Sequence, residues 1–420
     1  MADSSPSVPK ALLLLPPPPH PSAYSGLEAS YRPPLSSSLR AVSKMPNSSS
    51  DAAILDIALP CPHLADRVAR PRSKSYAQTQ KLLAAVYKII CVICAQDSIE
   101  LEGAGGVDFR VLLVALDRED GSVSEPQIPY GPVIDLPTLA LHPERWHKLF
   151  STEGEPGEGL LQQFSRLAAH NPRAPKGNLP VERVPGGIGL IHPGSNLQTD
   201  IGAVDIPHRE YSAAAVGGTF DHLHAGHKLL LTMTAFLLEP DAQSHSMPRR
   251  LIVGITGEEL LKNKKYAEFL EGWETRQQRV GAFLQATLGF PFTDQTLFRE
   301  VRCDGSEPNE KVVKKHLGPN FIVECVEISD PFGPTITDES ISALVVSAET
   351  RSGGKAVNTK RAERGWPDLA VFEVDVLDAE IGTASDSGKD AKLSEEYATK
   401  ISSTGIRQQK AANAAKATAG

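Results

Sequence analysis

The chain has 420 residues, room for two or more domains, with 40% apolar and 22% charged residues and a formal charge of −8. That balance leaves no overall basic field for nucleic acid or an anionic bilayer, and no stretch reads as long enough to span a membrane. Five scattered cysteines (Cys61, Cys91, Cys94, Cys303, Cys325) suit a reducing cytosol better than a disulfide framework, so a cytoplasmic protein with neither nucleic-acid nor membrane partners is expected.

Residues 1–50 hold ten Pro and thirteen Ser. Their composition predicts a disordered head, and they lack the Arg-rich amphipathic pattern of a mitochondrial leader. Residues 51–205 read as an accessory domain of mixed α/β character. It has a helical pattern over 78–95, an apolar strand over 107–116, and short helices over 136–150 and 160–170. Cys91 and Cys94 form a C-x-x-C without a second pair at zinc spacing, and in their apolar run they read as small buried hydrophobes. His142, Trp146 and His147 cluster locally, which a helix with an aromatic core residue explains. No catalytic constellation appears before residue 205.

From 210 to 410 strands and helices alternate. Apolar runs at 213–216, 250–256, 295–302, 321–328, 343–347 and 369–377 read as strands, and 228–238 and 274–288 as helices. Continuous apolar strands alternating with helices predict an α/β fold with a parallel sheet covered on both faces. Ligands of such sheets bind beyond the carboxyl ends of the strands. Residues 411–420 read as an Ala/Lys-rich tail.

The chemistry concentrates at residues 213–227, Ala-Ala-Ala-Val-Gly-Gly-Thr-Phe-Asp-His-Leu-His-Ala-Gly-His. Gly217 and Gly218 permit a tight turn and close backbone approach. His224 and His227, three residues apart at a helix start, share one face with that helix's free N–H groups. Strand, glycine turn, helix N-terminus and two imidazoles describe a polyphosphate site. Downstream stand the basic cluster Lys262, Lys264, Lys265, the segment 346–361 (Val-Ser-Ala-Glu-Thr-Arg-Ser-Gly-Gly-Lys-Ala-Val-Asn-Thr-Lys-Arg), and Ile401-Ser-Ser-Thr-Gly-Ile-Arg.

These strings resemble the HxGH and ISSTxxR signatures of the nucleotidyltransferase superfamily, in the form found in monofunctional, fungal-type phosphopantetheine adenylyltransferases. The resemblance covers about 210–410. It implies a Rossmann-like parallel sheet with helices on both faces, and transfer of AMP from ATP to 4′-phosphopantetheine, giving dephospho-CoA and pyrophosphate in coenzyme A synthesis. His227, with His224 and Lys264, is then expected to be catalytic. Gly218, Thr219, Phe220, His227, Ser347, Glu349, Thr350, Ser402, Ser403, Thr404 and Arg407 would bind ATP. Thr219, Lys262, Lys264, Arg351 and Arg361 would bind the acceptor, with Asn358 also able to approach phosphate. No protein metal site is read, and Mg²⁺ is expected to enter with ATP.

Asp330-Pro-Phe-Gly-Pro-Thr also matches these enzymes but reads locally as a turn. The polar insert 383–392 departs from the pattern. No G-x-x-x-x-G-K-[ST] loop occurs, so a fused dephospho-CoA kinase is not expected. The alternatives are another HxGH transferase, acting as a cytidylyltransferase or on nicotinamide mononucleotide, and an inactive scaffold that binds other coenzyme A enzymes through residues 1–205.

Overall fold

The computed structural model describes residues 8–419 apart from 21, 66–70, 117–130, 171–178, 189–208, 239–247, 291–297, 306–308, 319, 376 and 378–388. The junction near 205 and the insert up to residue 388 lie outside the described residues. The chain divides into two compact units. One comprises Met1–Ala69, Leu82–Pro129 and Val133–Gly202, the other Arg70–Lys81, Tyr130–Pro132 and Ala203–Gly420.

The first unit is built on strands β1 (Lys10–Leu14), β2 (Ala53–Pro60), β3 (Val107–Ala115), β4 (Val133–Asp135), β5 (Lys148–Thr152) and β6 (Val181–Val184). They lie in the order β4-β3-β2-β1-β5-β6, each neighbouring pair parallel. The expected disordered head is therefore wrong for residues 10–43. Ala11 to Leu14 are at most 1% exposed, in a strand hydrogen-bonded on both sides. Helix α1 (Tyr24–Ser43) follows, burying Leu27, Tyr31, Pro34, Leu35, Leu39 and Val42 at helical spacing.

Pro33 and Pro34 lie inside that helix and cannot donate to the carbonyls four residues back. The freed Ala29 carbonyl instead accepts the N–H of Ile188 at 3.3 Å. Gly187 has to be glycine there, because a Cβ would stand 2.3 Å from that oxygen.

The expected helix over 136–150 is also corrected. Only α3 (Leu136–Ala140) is helical beyond a short turn, and the segment ends in β5. Trp146 is held by a 2.8 Å bond from its indole N–H to the buried Asp56 carboxylate. Helix α4 (Glu155–Ala169) and helix α2 (Tyr76–Gln96) from Leu82 onward complete this part. Arg72–Gln96 is long and apolar enough to cross a membrane, contrary to the sequence reading, but 67% of its most apolar window is buried within the fold. Cys91 and Cys94 are buried on α2.

The second unit holds a seven-stranded sheet of β7 (Ala213–Gly218), β8 (Arg249–Thr256), β9 (Phe298–Asp304), β10 (Lys311–Leu317), β11 (Phe321–Ile328), β12 (Ala343–Ser347) and β13 (Ala370–Val374). The order is β13-β12-β7-β8-β11-β10-β9. The first five strands in that order are parallel, as expected. The last two add an antiparallel hairpin at one edge. Around the sheet run α5 (Ala225–Phe236), α6 (Trp273–Leu288), α7 (Arg351–Glu363), α8 (Lys389–Ile401) and α9 (Ser403–Ala419). The expected tail from 411 continues α9 through Ala419.

β7 is central and buried on both faces, and its Ala-Ala-Ala-Val run leaves room for that. The chain moves from β7 to β8 on one side and later to β12 on the other, so the strand order reverses between β7 and β12. At such a reversal, loops diverge beyond the carboxyl ends and leave a crevice.

Candidate active site

The site begins where β7 ends. Thr256 Oγ1 donates to the Gly218 carbonyl at 3.1 Å. Arg276, fully buried on α6, donates through Nη1 to the carbonyls of Thr219 (2.7 Å) and Thr256 (2.8 Å), tying the ends of β7 and β8 together. Phe220 (φ 53°) and His222 (φ 48°) both adopt the left-handed conformation, which non-glycine residues enter only when their surroundings hold them there. The holding bonds are visible. Glu271 Oε2 accepts the His222 N–H at 3.0 Å, and the His222 ring contacts the Phe269 carbonyl at 2.9 Å. Gly218 is constrained from the same side, since a Cβ would lie 3.1 Å from the buried Phe220 ring.

This turn delivers the chain into α5. His224 is the N-cap residue, but its side chain makes no capping bond, and the first turn carries no acid. The N–H groups of a helix's first turn lack intrahelical acceptors, so this end presents uncapped donors and positive dipole. The rings of His224 and His227 stack at 3.8 Å and 24°, with Phe220 5.2 Å from His227. The Nδ1 atoms of both histidines are buried without a hydrogen-bond partner. Gly226 makes the stacking possible, because a Cβ there would lie 3.2 Å from His224 Cε1.

Burial is the main force on both pKa values. It lowers His227 to about 3, with the neighbouring His222 adding to the effect. His224 falls well below the ordinary range through burial, then through His227, Lys228 and His222. Both imidazoles are therefore neutral near pH 7, donors through one ring nitrogen rather than fixed cations.

The remaining candidates separate clearly. Lys262, Lys264 and Lys265 lie exposed on the loop after β8, with Lys262 paired to Glu259. Ser347 and Thr350 form a capping box after β12, and Glu349 and Thr350 are exposed. β12 pairs with β7 up to Val345 opposite Val216, so this segment leaves the sheet beside the glycine turn. Ser402, Ser403 and Thr404 form the elbow between α8 and α9. That elbow meets α5 directly, for the Ile401 carbonyl lies 3.8 Å from where a Cβ on Gly226 would stand.

Three expected phosphate ligands are otherwise engaged. Arg361 is 1% exposed and donates to the carbonyls of Thr335 (2.8 Å), Asp338 (3.3 Å), Glu339 (3.2 Å), Ile341 (3.3 Å) and Pro367 (2.8 Å). It organises the loop that enters β12 and is not placed to meet phosphate. Asn358 bridges the N–H and carbonyl of Leu369. Arg351 is exposed but bound to Glu373 through two nitrogens. Asp330 caps its own turn, accepting from Phe332 and Gly333 at 2.7 and 2.8 Å.

The sequence reading missed Asp221 and Lys228, both buried beside the histidines. Asp221 stands inside the quoted motif and Lys228 directly follows it, each a charged residue in an otherwise apolar or small-residue run, and that was the signal. Arg276 was missed as well, since a lone arginine in an amphipathic helix looks solvated.

Residues 215–409 match the family model of cytidylyltransferase-like proteins. Residues 1–190 match a family model described only as a domain of unknown function. An uncharacterized protein of Schizosaccharomyces pombe is 36% identical over 196 residues, 47% of this chain and 47% of that protein. A phosphopantetheine adenylyltransferase of Saccharomyces cerevisiae is 36% identical over 199 residues, 47% of this chain and 48% of its own. That of Methanothermobacter thermautotrophicus is 26% identical over 174 residues, 41% of this chain and 79% of its own. The matched region spans about half the length of the first two relatives. The likenesses support a nucleotidyltransferase-like protein resembling phosphopantetheine adenylyltransferases.

Proposed function

We propose that the second unit transfers AMP from ATP to 4′-phosphopantetheine, giving dephospho-CoA and pyrophosphate. The observation that carries nucleotidyl transfer is the stacked pair of neutral histidines, with unpartnered ring nitrogens, at an uncapped helix start. The likeness to phosphopantetheine adenylyltransferases supports the acceptor. A phosphate oxygen of the acceptor attacks the α-phosphorus of ATP in line, and the bond to the bridging oxygen breaks as pyrophosphate leaves. No covalent enzyme intermediate is required, so the protein's work is positioning and stabilising charge.

His227 donates to an α-phosphate oxygen as charge grows on it, and His224 supports it on the same side. The Thr219–Phe220 turn faces both phosphates. Lys264, and Lys262 once it leaves Glu259, would meet the acceptor phosphate from the exposed loop after β8. Hydroxyls from 402–404 and the start of α9 serve the β- and γ-phosphates.

Mg²⁺ would arrive on ATP and neutralise its phosphates. Asp221, a buried carboxylate in the histidine turn, has both oxygens occupied by protein donors, so substrate oxygens and water would hold the ion in its place. Cytidylyl transfer is the second reading, favoured by the description of the matching family model. Pyrophosphate release with ATP and phosphopantetheine, beside CTP with the same acceptor, tests the proposal. Turnover with ATP alone supports it, and turnover only with CTP refutes it.

A further inference from the structure

Arg407 belongs to the second signature, where a cation beside a helix start would be expected to hold phosphate. Its guanidinium is instead nearly enclosed, at 2% exposure. Nη1 is ion-paired to Asp221, which is 0% exposed. Nε donates to the Lys265 carbonyl at 3.0 Å, and Nη2 to Thr404 Oγ1 at 3.3 Å. Asp221 is bonded from its other sides too. Its Oδ1 accepts the Glu271 N–H at 2.9 Å, and its main-chain carbonyl accepts Ser403 Oγ at 2.7 Å.

Three segments distant in sequence thus meet on one pair: the turn that ends in the histidines, the loop bearing Lys262, Lys264 and Lys265, and the elbow at 402–404. A buried ion pair is a poor device for stability alone, because apolar residues of similar volume often serve as well. What this one provides is a fixed three-way register at the histidines.

Resting on the adenylyl-transfer reading, we propose that Asp221 and Arg407 are positioning residues. Their pair docks the lysine loop and the hydroxyl elbow against His224 and His227, and Arg407 acts through Asp221 rather than as a phosphate ligand. Without Asp221 the arginine loses its partner, the Glu271 N–H loses a charged acceptor, and both docked segments shift. Because one segment serves ATP and the other the acceptor, the apparent affinity for both substrates changes together.

The test is a double-mutant cycle in the full chain with Asp221→Asn, Arg407→Gln and both together, plus Arg407→Lys. Pyrophosphate release is measured against varied ATP and varied phosphopantetheine, well below each variant's melting temperature. The joint predicts that each single change lowers kcat/KM for ATP by about tenfold or more and raises KM for both substrates. The double variant should lie within about threefold of the worse single. Arg407→Lys keeps a charge for Asp221 but loses the fork that reaches Lys265 and Thr404, so it should recover part of the loss while still raising both KM values.

Multiplying losses in the double variant, with Arg407→Lys and Arg407→Gln raising KM for ATP only, would make Arg407 a direct phosphate ligand and overturn the joint. Unchanged KM values with only a lower melting temperature would reduce the pair to a stabilising contact and overturn it as well. If wild type releases no pyrophosphate, the adenylyl-transfer reading falls separately. The same non-additivity is then sought in calorimetric ATP binding by the four proteins.

Discussion

The histidine pair links stability to pH in a way that can be worked out in advance. Folded His227 titrates near pH 3, because burial disfavours the imidazolium and His222 adds to the effect. In the unfolded chain it titrates near its ordinary value of about 6.5. Between those values the unfolded state binds a proton that the folded state refuses, so the stabilisation is complete above about pH 6.5 and is lost as pH falls toward 3. At pH 5 the ratio of the two binding polynomials is about thirtyfold, a loss of about 2 kcal/mol from His227 alone. Partial exposure of the ring lets water stabilise some imidazolium, which makes that figure an upper one. His224, shifted in the same direction, adds to the slope.

The perturbation is His227→Gln, which keeps a donor and removes the titration. Urea unfolding at pH 7.5 and pH 5.0, followed by tryptophan fluorescence, should show wild type losing up to about 2 kcal/mol more than the variant on acidification. Equal losses in the two proteins would refute the assignment of a depressed pKa to this ring.

Arg361→Met preserves volume but strips five carbonyls of a donor, so it should cost on the order of 3 kcal/mol in urea unfolding. Arg361→Lys, assayed where it is folded, should leave KM for ATP within about twofold of wild type, and a tenfold rise would return Arg361 to the phosphate site. Gly226→Ala pushes a methyl to 3.2 Å from His224 Cε1, forcing the ring aside by a few tenths of an ångström. A drop in kcat of about tenfold with little change in melting temperature is expected from pyrophosphate release and thermal scans. Chelation by EDTA should stop turnover, reversibly on adding Mg²⁺, while leaving the melting temperature of the nucleotide-free protein unchanged.

The second unit was legible because its parallel strands are continuous apolar runs, with the glycine turn, the lysine loop and the 346–361 segment following β7, β8 and β12. β10 escaped notice because Lys311, Lys314 and Lys315 break its apolar pattern, as an edge hairpin allows. The first fifty residues misled through averaging. Ten prolines set the composition, yet only five residues are needed for β1, and Leu27, Tyr31, Pro34, Leu35 and Leu39 keep helical spacing through the prolines.

At the site, His224, His227 and the glycine turn could be placed from local spacing, since their geometry is fixed within one strand–turn–helix. The fates of Arg361 and Arg407 could not. An arginine in a signature looks the same in sequence whether it meets phosphate or main-chain carbonyls, and here loops from elsewhere in the chain wrap both guanidinium groups. Asp221 illustrates the converse, for its importance comes from partners about fifty and more than a hundred and eighty residues away.

A neutral His227 that stabilises charge on the phosphate passing to phosphopantetheine makes turnover depend on that ring, as pyrophosphate release with ATP, Mg²⁺ and phosphopantetheine would show for wild type beside His227→Ala. Wild-type turnover with a loss of about a hundredfold or more in kcat for the variant, at little change in KM for ATP, is the predicted result. Turnover that persists in His227→Ala would mean that another group stabilises the charge.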